Sequence, residues 1–273
     1  ARRFPSEADV VSCVEVIAAY DIQSEAAQAV SNQNPHIKSY TNLDDFYSAV
    51  DAVYIATPHL THYDYIKRSI AAGKHVLCET PLVLKGDRAK EVYALAKEKG
   101  VFLMEANKTA HCPAFNHLMV MIKSGVIRDV FDVEASLSKL WDDDMSLREF
   151  DPSQAGGSLY ELGSYPLLPI LKLCGIQYEN LNLYSRMKDG VDMYTKGVFR
   201  YCNAVCSFKV GLGVKTEGNL IISGTKGYAY VPAPWWKTDY FELRYEDQNQ
   251  NKKFFYKWDG AGLRYEIQEF ISC

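Results

Sequence analysis

What this chain lacks narrows it first. No apolar run approaches the roughly 20 residues of a membrane helix; the longest, such as "DAVYIA" and "YPLLPIL", stop far short. The opening "ARRFPSEADV" has none of the apolar core of a signal peptide, and together these absences point to a cytoplasmic protein without a membrane partner. Charge of one sign is not concentrated anywhere: 30 Lys and Arg stand against 34 Asp and Glu, for a formal net charge of -4. The bases are scattered among the acids, which excludes the electrostatic footprint of a nucleic-acid-binding protein. The seven cysteines, Cys13, Cys78, Cys112, Cys174, Cys202, Cys206 and Cys273, show no paired spacing, so a disulfide framework is excluded in a chain this long. Cys202 and Cys206 are four apart in "YCNAVCSF". That stretch alternates like a strand and has no further ligands nearby, so these thiols read as buried and reduced, and no metal is expected.

What is present is a soluble core: 273 residues, 48% hydrophobic and 23% charged, enough for one large or two medium domains. Over the first hundred residues two periods alternate. "VEVIAAY" reads as a strand, "SEAAQAV" and "LDDFYSAV" as helices and "DAVYIA" as a strand; then follow a helix "THYDYIKRSIAAG", a strand "HVLCE", a helix "GDRAKEVYALAKEKG" and a strand "VFLMEA". In the last of these helices Ala89, Val92, Tyr93 and Ala96 fall on one stripe facing a sheet, with Gly100 as its cap. Strict alternation implies right-handed crossovers and a parallel sheet.

After residue 107 the pattern changes to a helix, "CPAFNHLMVMIKSG", and then long alternating strands interrupted by one apolar helix, "SLYELGSYPLLPILKLCG". The expected fold class is therefore α/β followed by α+β. A Rossmann-type domain is expected over residues 1–107, where such folds bind a dinucleotide, and a substrate-binding and dimerisation domain with a large, open, mainly antiparallel sheet over 108–273. Both ends read as cut. No G-x-G-x-x-G precedes Asp21 and the chain opens on what reads as the first helix, so the first strand and glycine loop of the parallel sheet are expected to be missing. "GLRYEIQEFISC" stops without a capping residue, as an incomplete last helix.

In an open parallel sheet, ligands bind outside the carboxyl ends of the strands. Here those loops carry Asp21, "TPHLTH", "ETP" and "NKT". Asp21 suits the ribose hydroxyls of an adenosine and repels a 2'-phosphate, favouring NAD over NADP; capping the following helix is its alternative role.

The combination of "VYIATPHLTHYDYIKRSIAAGKHVLCETPL", "LMEANKTAHCPAF" and "GGSLYELGSYPLLPILKLCG" resembles the Gfo/Idh/MocA family of nicotinamide-dependent oxidoreductases, in the branch of the dihydrodiol and sugar dehydrogenases. The resemblance implies an NAD or NADP cofactor and hydride transfer at a hydroxyl of a sugar, polyol or cyclic diol. It implies that Thr57, Pro58 and His62 lie beside the nicotinamide ribose, that Glu79 and Pro81 are the outer residues of an E-K-P motif, and that Asn107 lines the nicotinamide pocket. Tyr165, in "ELGSY", falls where the branch has its catalytic tyrosine. Each has a plainer alternative: His62 as a helix start, Tyr165 as core filler, Lys108 as a surface lysine instead of a substrate contact. His59 reads as a solvated polar residue, and His111 and His117 as structural.

One position departs from the pattern. Where relatives carry a lysine that stabilises the tyrosine's phenolate, this chain has Thr80. A unit charge about 4 Å away at an effective dielectric near 20 is worth roughly 4 kcal/mol, or about three pKa units. Either Lys108 supplies the missing cation, or the chain is a non-catalytic nucleotide- or sugar-binding relative. The aromatics Trp235, Trp236 and Tyr240 suit a two-fold dimer interface; lining the substrate cleft or the domain's own core is their alternative role.

Overall fold

The computed structural model describes residues 3–140 and 147–273. Its elements in chain order begin with α1 (Phe4–Ala8), β1 (Ala18–Tyr20), α2 (Ser24–Gln33), β2 (Lys38–Tyr40), α3 (Leu43–Ala49), β3 (Ala52–Ile55), α4 (His59–Ala71), β4 (His75–Glu79), α5 (Gly86–Lys99) and β5 (Leu103–Ala106). They continue with α6 (Lys108–His111), α7 (Pro113–Lys123), β6 (Val130–Lys139), α8 (Ser158–Leu162), α9 (Ser164–Cys174), β7 (Asn180–Lys188), β8 (Val191–Arg200) and β9 (Val205–Leu212). The last are β10 (Leu220–Gly224), β11 (Gly227–Val231), β12 (Tyr240–Tyr245), β13 (Lys252–Phe255) and α10 (Leu263–Ser272). Two compact units result, one of residues 1–108 with 260–273 and one of residues 109–259. Thus α10, which chain order assigns to the second domain, folds with the first.

In the first unit all strand pairings are parallel, but they form two separate sheets, β1-β2 and β3-β4-β5. Strand β4 is buried on both faces, as the middle strand of a parallel sheet must be: Val76 and Cys78 pack into one apolar cluster, with Ile55, Ile66 and Val92, while Leu77 packs into another with Ala8, Ala106 and Ile267. Between the two sheets lies a cavity of about 620 Å³ lined by Ala18, Ala19, Tyr20, Val53, Tyr54 and Ile55. The facing edges of β1 and β3 have no strand partner there among the described residues. This is the expected gap in the middle of the sheet. Residues 4–8 are helical and make no glycine turn.

Strand β2 was not legible in the sequence. It is only three residues long with no fully buried position, too short for a periodicity signal. Helix α5 buries Val92 and Ala96 as expected, but Tyr93 remains 47% exposed at the stripe's margin. Gly100 caps it at φ 66°, the left-handed conformation that glycine adopts without a Cβ penalty.

The second unit is an eight-stranded sheet in the order β13-β12-β11-β10-β6-β9-β8-β7. Every neighbouring pair is antiparallel except β6 and β9. Helices α7, α8 and α9 pack on one face, where Val133, Cys206, Phe208, Ile222, Ala229 and Phe241 are buried. Trp235 belongs to this core: it is fully buried and its indole N–H donates to the Ser136 carbonyl at 2.9 Å. For Trp235 the structure thus takes the alternative of the domain's own core over the interface. The expected single apolar helix is two, α8 and α9, broken at Gly163.

Candidate active site

The carboxyl ends of the four strands β1, β3, β4 and β5 carry the residues singled out in the sequence, and the structure shows what each does locally. After β1, Asp21 Oδ1 accepts the N–H of Gln23 at 2.9 Å. It makes a turn just ahead of α2, whose cap position is Gln23, so Asp21 shapes the entry to the helix without capping it. The residue is half-exposed.

After β3, Thr57 and Pro58 lead into α4. The Thr61 hydroxyl lies 2.8 Å from the Thr57 hydroxyl and 2.7 Å from the Pro58 carbonyl, which fixes the first turn. His62 is fully buried. Its ring nitrogens lie 2.8 Å from the Thr57 carbonyl and 2.9 Å from the Pro81 carbonyl, so it ties the loop after β3 to the loop after β4. His59 is also buried, at 7% exposure, and packs edge-on against His62; the reading of a solvated residue is corrected by the inward face of α4.

After β4, the Thr80–Pro81 peptide is cis. Glu79 accepts the phenol O–H of Tyr54, joining β3 to β4. Glu105, on β5, accepts the N–H of Leu82 at 2.9 Å; burial raises its carboxyl, the Leu82 N–H opposes the rise, and the charge of Glu79 adds to it. After β5, Asn107 is buried, and the Lys108 ammonium donates to the Ala261 carbonyl at 3.2 Å.

Beneath these loops lies a feature that the sequence did not signal. Glu266 of α10 is fully buried, and among the described residues neither carboxyl oxygen has a hydrogen-bond partner. Burial pushes it up to about 9, the charge of Glu79 adds to the rise, Lys108 opposes it and Glu7 adds a little more. Nearby, burial alone would raise Glu7. Hydrogen bonds from the Arg264 side chain and from the main-chain N–H groups of Ala261 and Arg264, with the Arg264 charge, outweigh burial and hold it at about 2. The sequence hint was only that Tyr265 and Glu266 follow a glycine-rich turn; nothing local distinguishes a buried glutamate from a surface one.

The second unit carries Tyr165, half-buried in the first turn of α9. Its position is set by the preceding "GGSLYELG". Asp192 at the start of β8 accepts from the Ser158 hydroxyl at 2.6 Å and the Leu159 N–H at 3.0 Å. A Cβ on Gly157 would stand 2.2 Å from Asp192 Oδ1, and one on Gly163 would stand 2.4 Å from the Leu159 carbonyl oxygen. Arg148 clamps Glu161 with both guanidinium nitrogens, at 2.8 and 3.2 Å. The glycines are thus required by close packing, and they lock the α8-α9 corner that presents Tyr165.

His117 behaves structurally, as expected: it hydrogen-bonds to the Tyr256 hydroxyl and packs edge-on against Phe241 and Phe254. Cys206 is buried, whereas Cys202 is exposed, contrary to the expectation of two buried thiols. Among the described residues no group of three or more His, Cys, Asp or Glu is placed to hold a metal ion, and no helix is long and apolar enough to cross a membrane.

Parallel strands with polar loops at their carboxyl ends in one unit, and a large open sheet in the other, are the architecture of a Rossmann-type oxidoreductase. Asp21, Thr57 and Asn107 offer a carboxylate, a hydroxyl and an amide, groups able to bond the hydroxyls and amide of a nicotinamide cofactor; a glycine cradle for its pyrophosphate is not among the described residues. Residues 3–107 match the oxidoreductase family with NAD-binding Rossmann fold, and residues 115–230 match the GFO/IDH/MocA C-terminal domain. The chain belongs to the GFO/IDH/MocA oxidoreductase family. It is 33% identical over 82% of its length to trans-1,2-dihydrobenzene-1,2-diol dehydrogenase of Oryctolagus cuniculus, covering 70% of that relative. The Homo sapiens protein of the same name is 28% identical over 95% of this chain and 79% of its own length. Among solved structures, levoglucosan dehydrogenase in complex with NADH and levoglucosan superposes with a TM-score of 0.85 at 19% identity, over 98% of this chain and 83% of that one. A 3-ketoreductase from Actinomadura kijaniata in complex with TDP-benzene and NADP gives 0.81 at 20% identity, over 98% and 83%. The structural matches establish the fold. The relatives named here are dehydrogenases and reductases, which gives no support to the alternative of a non-catalytic binding protein.

Proposed function

We propose that this protein transfers hydride between a nicotinamide cofactor and a hydroxyl-bearing carbon of a small cyclic diol or sugar, with NAD preferred over NADP. The observation that carries the reading is the 33% identity to a dihydrodiol dehydrogenase over 82% of the chain, which spans both the loop-bearing parallel sheet and the Tyr165 corner. The cofactor, when bound, supplies the hydride acceptor or donor. The chain's own residues hold it and move the proton. Asp21 takes the adenosine ribose hydroxyls, and Thr57, Pro58 and Asn107 border the nicotinamide end. His62 acts through them by locking the loops, and Glu79 with Pro81 shapes the adjacent turn. Tyr165 exchanges the proton with the substrate hydroxyl. A phenol ionises near pH 10 unless a cation is close, and with threonine at position 80, Lys108 is the lysine that the motifs offer.

The reading is tested by pH-rate profiles with NAD and NADP on a panel of cyclic diols, pentoses and hexoses. Tyr165→Phe is expected to lower kcat by about 100-fold or more while cofactor affinity holds; wild-type turnover in that variant would sink the assignment. If Lys108 is the cation, Lys108→Ala moves the rise in rate to higher pH and Thr80→Lys adds little. If the position is empty of charge, Thr80→Lys lowers the apparent pKa by up to about three units. Asp21→Ala is expected to raise the use of NADP relative to NAD.

The outward face of the second unit's sheet supports a two-fold homodimer. Ile221, Tyr230 and Glu242 lie in one cross-strand row, and the Arg244 guanidinium sits 4.8 Å over the Tyr230 ring. Tyrosine and arginine are the residues that interface centres favour.

A further inference from the structure

We infer that Cys174 and Cys206 form an oxidant-sensitive dithiol that closes to an intramolecular disulfide when a peroxide reaches Cys174. The two sulfurs already touch, at 3.6 Å. Of the other thiols, Cys78 and Cys112 are buried and donate to the Glu79 and Thr238 carbonyls, while Cys13, Cys202 and Cys273 are exposed.

Both partners are pinned by main chain. Cys206 lies within β9, between β6 and β8 and opposite Phe199, with its side chain fully buried. Cys174 is the last residue of α9 and half-buried. The Gly175 N–H closes that helix on the Leu171 carbonyl at 3.0 Å, and the Tyr201 hydroxyl holds the Gly175 carbonyl at 2.9 Å. Tyr201 in turn is fixed at the β8-β9 turn, where its N–H donates to Ala204 at 2.8 Å. The thiols are therefore held together by a helix end and a central strand, and a disulfide of about 2.05 Å needs side-chain rotation more than chain movement.

The two sulfurs differ in role. Cys174 is the less buried of the two, and its contact with the Cys206 sulfur draws it toward the thiolate; burial and the charge of Asp132 oppose this. Cys206 is held as the thiol by that same bond and by burial. Thiolate and access select the sulfur that an oxidant attacks. The Cys174 thiolate displaces hydroxide from hydrogen peroxide, giving a sulfenic acid, and the O–O bond breaks. The Cys206 sulfur then attacks the sulfenic sulfur, an S–S bond forms, and water leaves with the Cys206 proton. In sum, two thiols and one peroxide give one disulfide and two waters. The bond would close a loop between positions 32 residues apart and fasten to the sheet the helix whose first turn holds Tyr165.

The test is peroxide titration of the full chain, alkylation of remaining thiols and peptide mass spectrometry. The expected result is a 174–206 cross-linked peptide pair two hydrogens lighter than its parts, and free thiols falling from seven to five with recovery on dithiothreitol. Cys174→Ser is expected to abolish the cross-link, and Cys206→Ser to leave a dimedone-reactive sulfenic acid at Cys174. The inference is overturned if both thiols stay alkylatable after the exposed cysteines have oxidised, or if Cys174 in the unmutated chain persists as a sulfenic acid. A cross-link between two chains overturns it as well. Mapping on the unmutated chain decides the matter even where a serine variant fails to fold.

Discussion

Two carboxyl groups of the first unit respond to burial in opposite ways because their partners differ. Glu7 has a guanidinium and two main-chain N–H groups and stays ionised down to about pH 2. Its folded value lies below its unfolded one, so its stabilisation is present above about pH 4.5 and is lost as pH falls toward 2. Glu266 has no hydrogen-bond partner among the described residues and keeps its proton up to about pH 9. Its folded value is raised, so the native state holds a proton that the unfolded chain releases above about pH 4.5. Stability therefore falls as pH rises from there to 9, by about 1.4 kcal/mol per pH unit from this group. Glu266→Gln is expected to flatten that slope in denaturant melts at pH 5, 7 and 9; a parallel pair of profiles would show that Glu266 ionises freely in the fold.

At the scale of elements, helix junctions are decided by what the backbone must approach. Gly163 joins α8 to α9 with a carbonyl 2.4 Å from where a Cβ would stand. Gly100 ends α5 at φ 66° with open space around it. Gly163→Ala is expected to cost roughly 1–3 kcal/mol by displacing packed backbone, and to reduce kcat because the shift reaches Tyr165 two residues on. Gly100→Ala is expected to cost about 1 kcal/mol from the left-handed conformation alone, leaving kcat unchanged. Chemical denaturation with kinetics separates the two; equal losses would remove the argument from close packing.

At the scale of the molecule, the divided parallel sheet and the open antiparallel sheet each leave a surface with its own consequence. Strand β4 has partners on both sides, whereas β1 and β3 each turn one edge to the apolar gap. Unpaired amides exchange readily, so hydrogen exchange is expected to be fast in β1 and β3 and slow in β4. Uniform protection across β3 and β4 would mean that the gap is closed in solution. For the second unit, light scattering is expected to give twice the chain mass, and Tyr230→Glu to give a monomer by placing a charge in a desolvated centre. A monomer at high concentration in the unmutated chain removes the dimer.

Most of the order of strands and helices was legible: a strand buried on both faces, such as "HVLCE", reads as a short apolar run, and "GDRAKEVYALAKEKG" carries the 3.6 period of a helix with one buried face. The gap in the sheet was legible too, since no glycine turn precedes Asp21. So was the family, because Thr57, Glu79, Asn107 and Tyr165 sit in motifs of fixed order. Other features depended on contacts between residues far apart in sequence, which no local pattern records. Tertiary packing alone made His62 a buried tie between two loops, returned α10 to the first unit so that Glu266 is buried beneath Glu79, and brought Cys174 against Cys206. Trp235 shows the same limit: its composition suits an interface, and only the carbonyl of Ser136, 99 positions away, makes it core. A side chain's type sets what it can bond to, and the fold decides which partner, and how little water, it finds there.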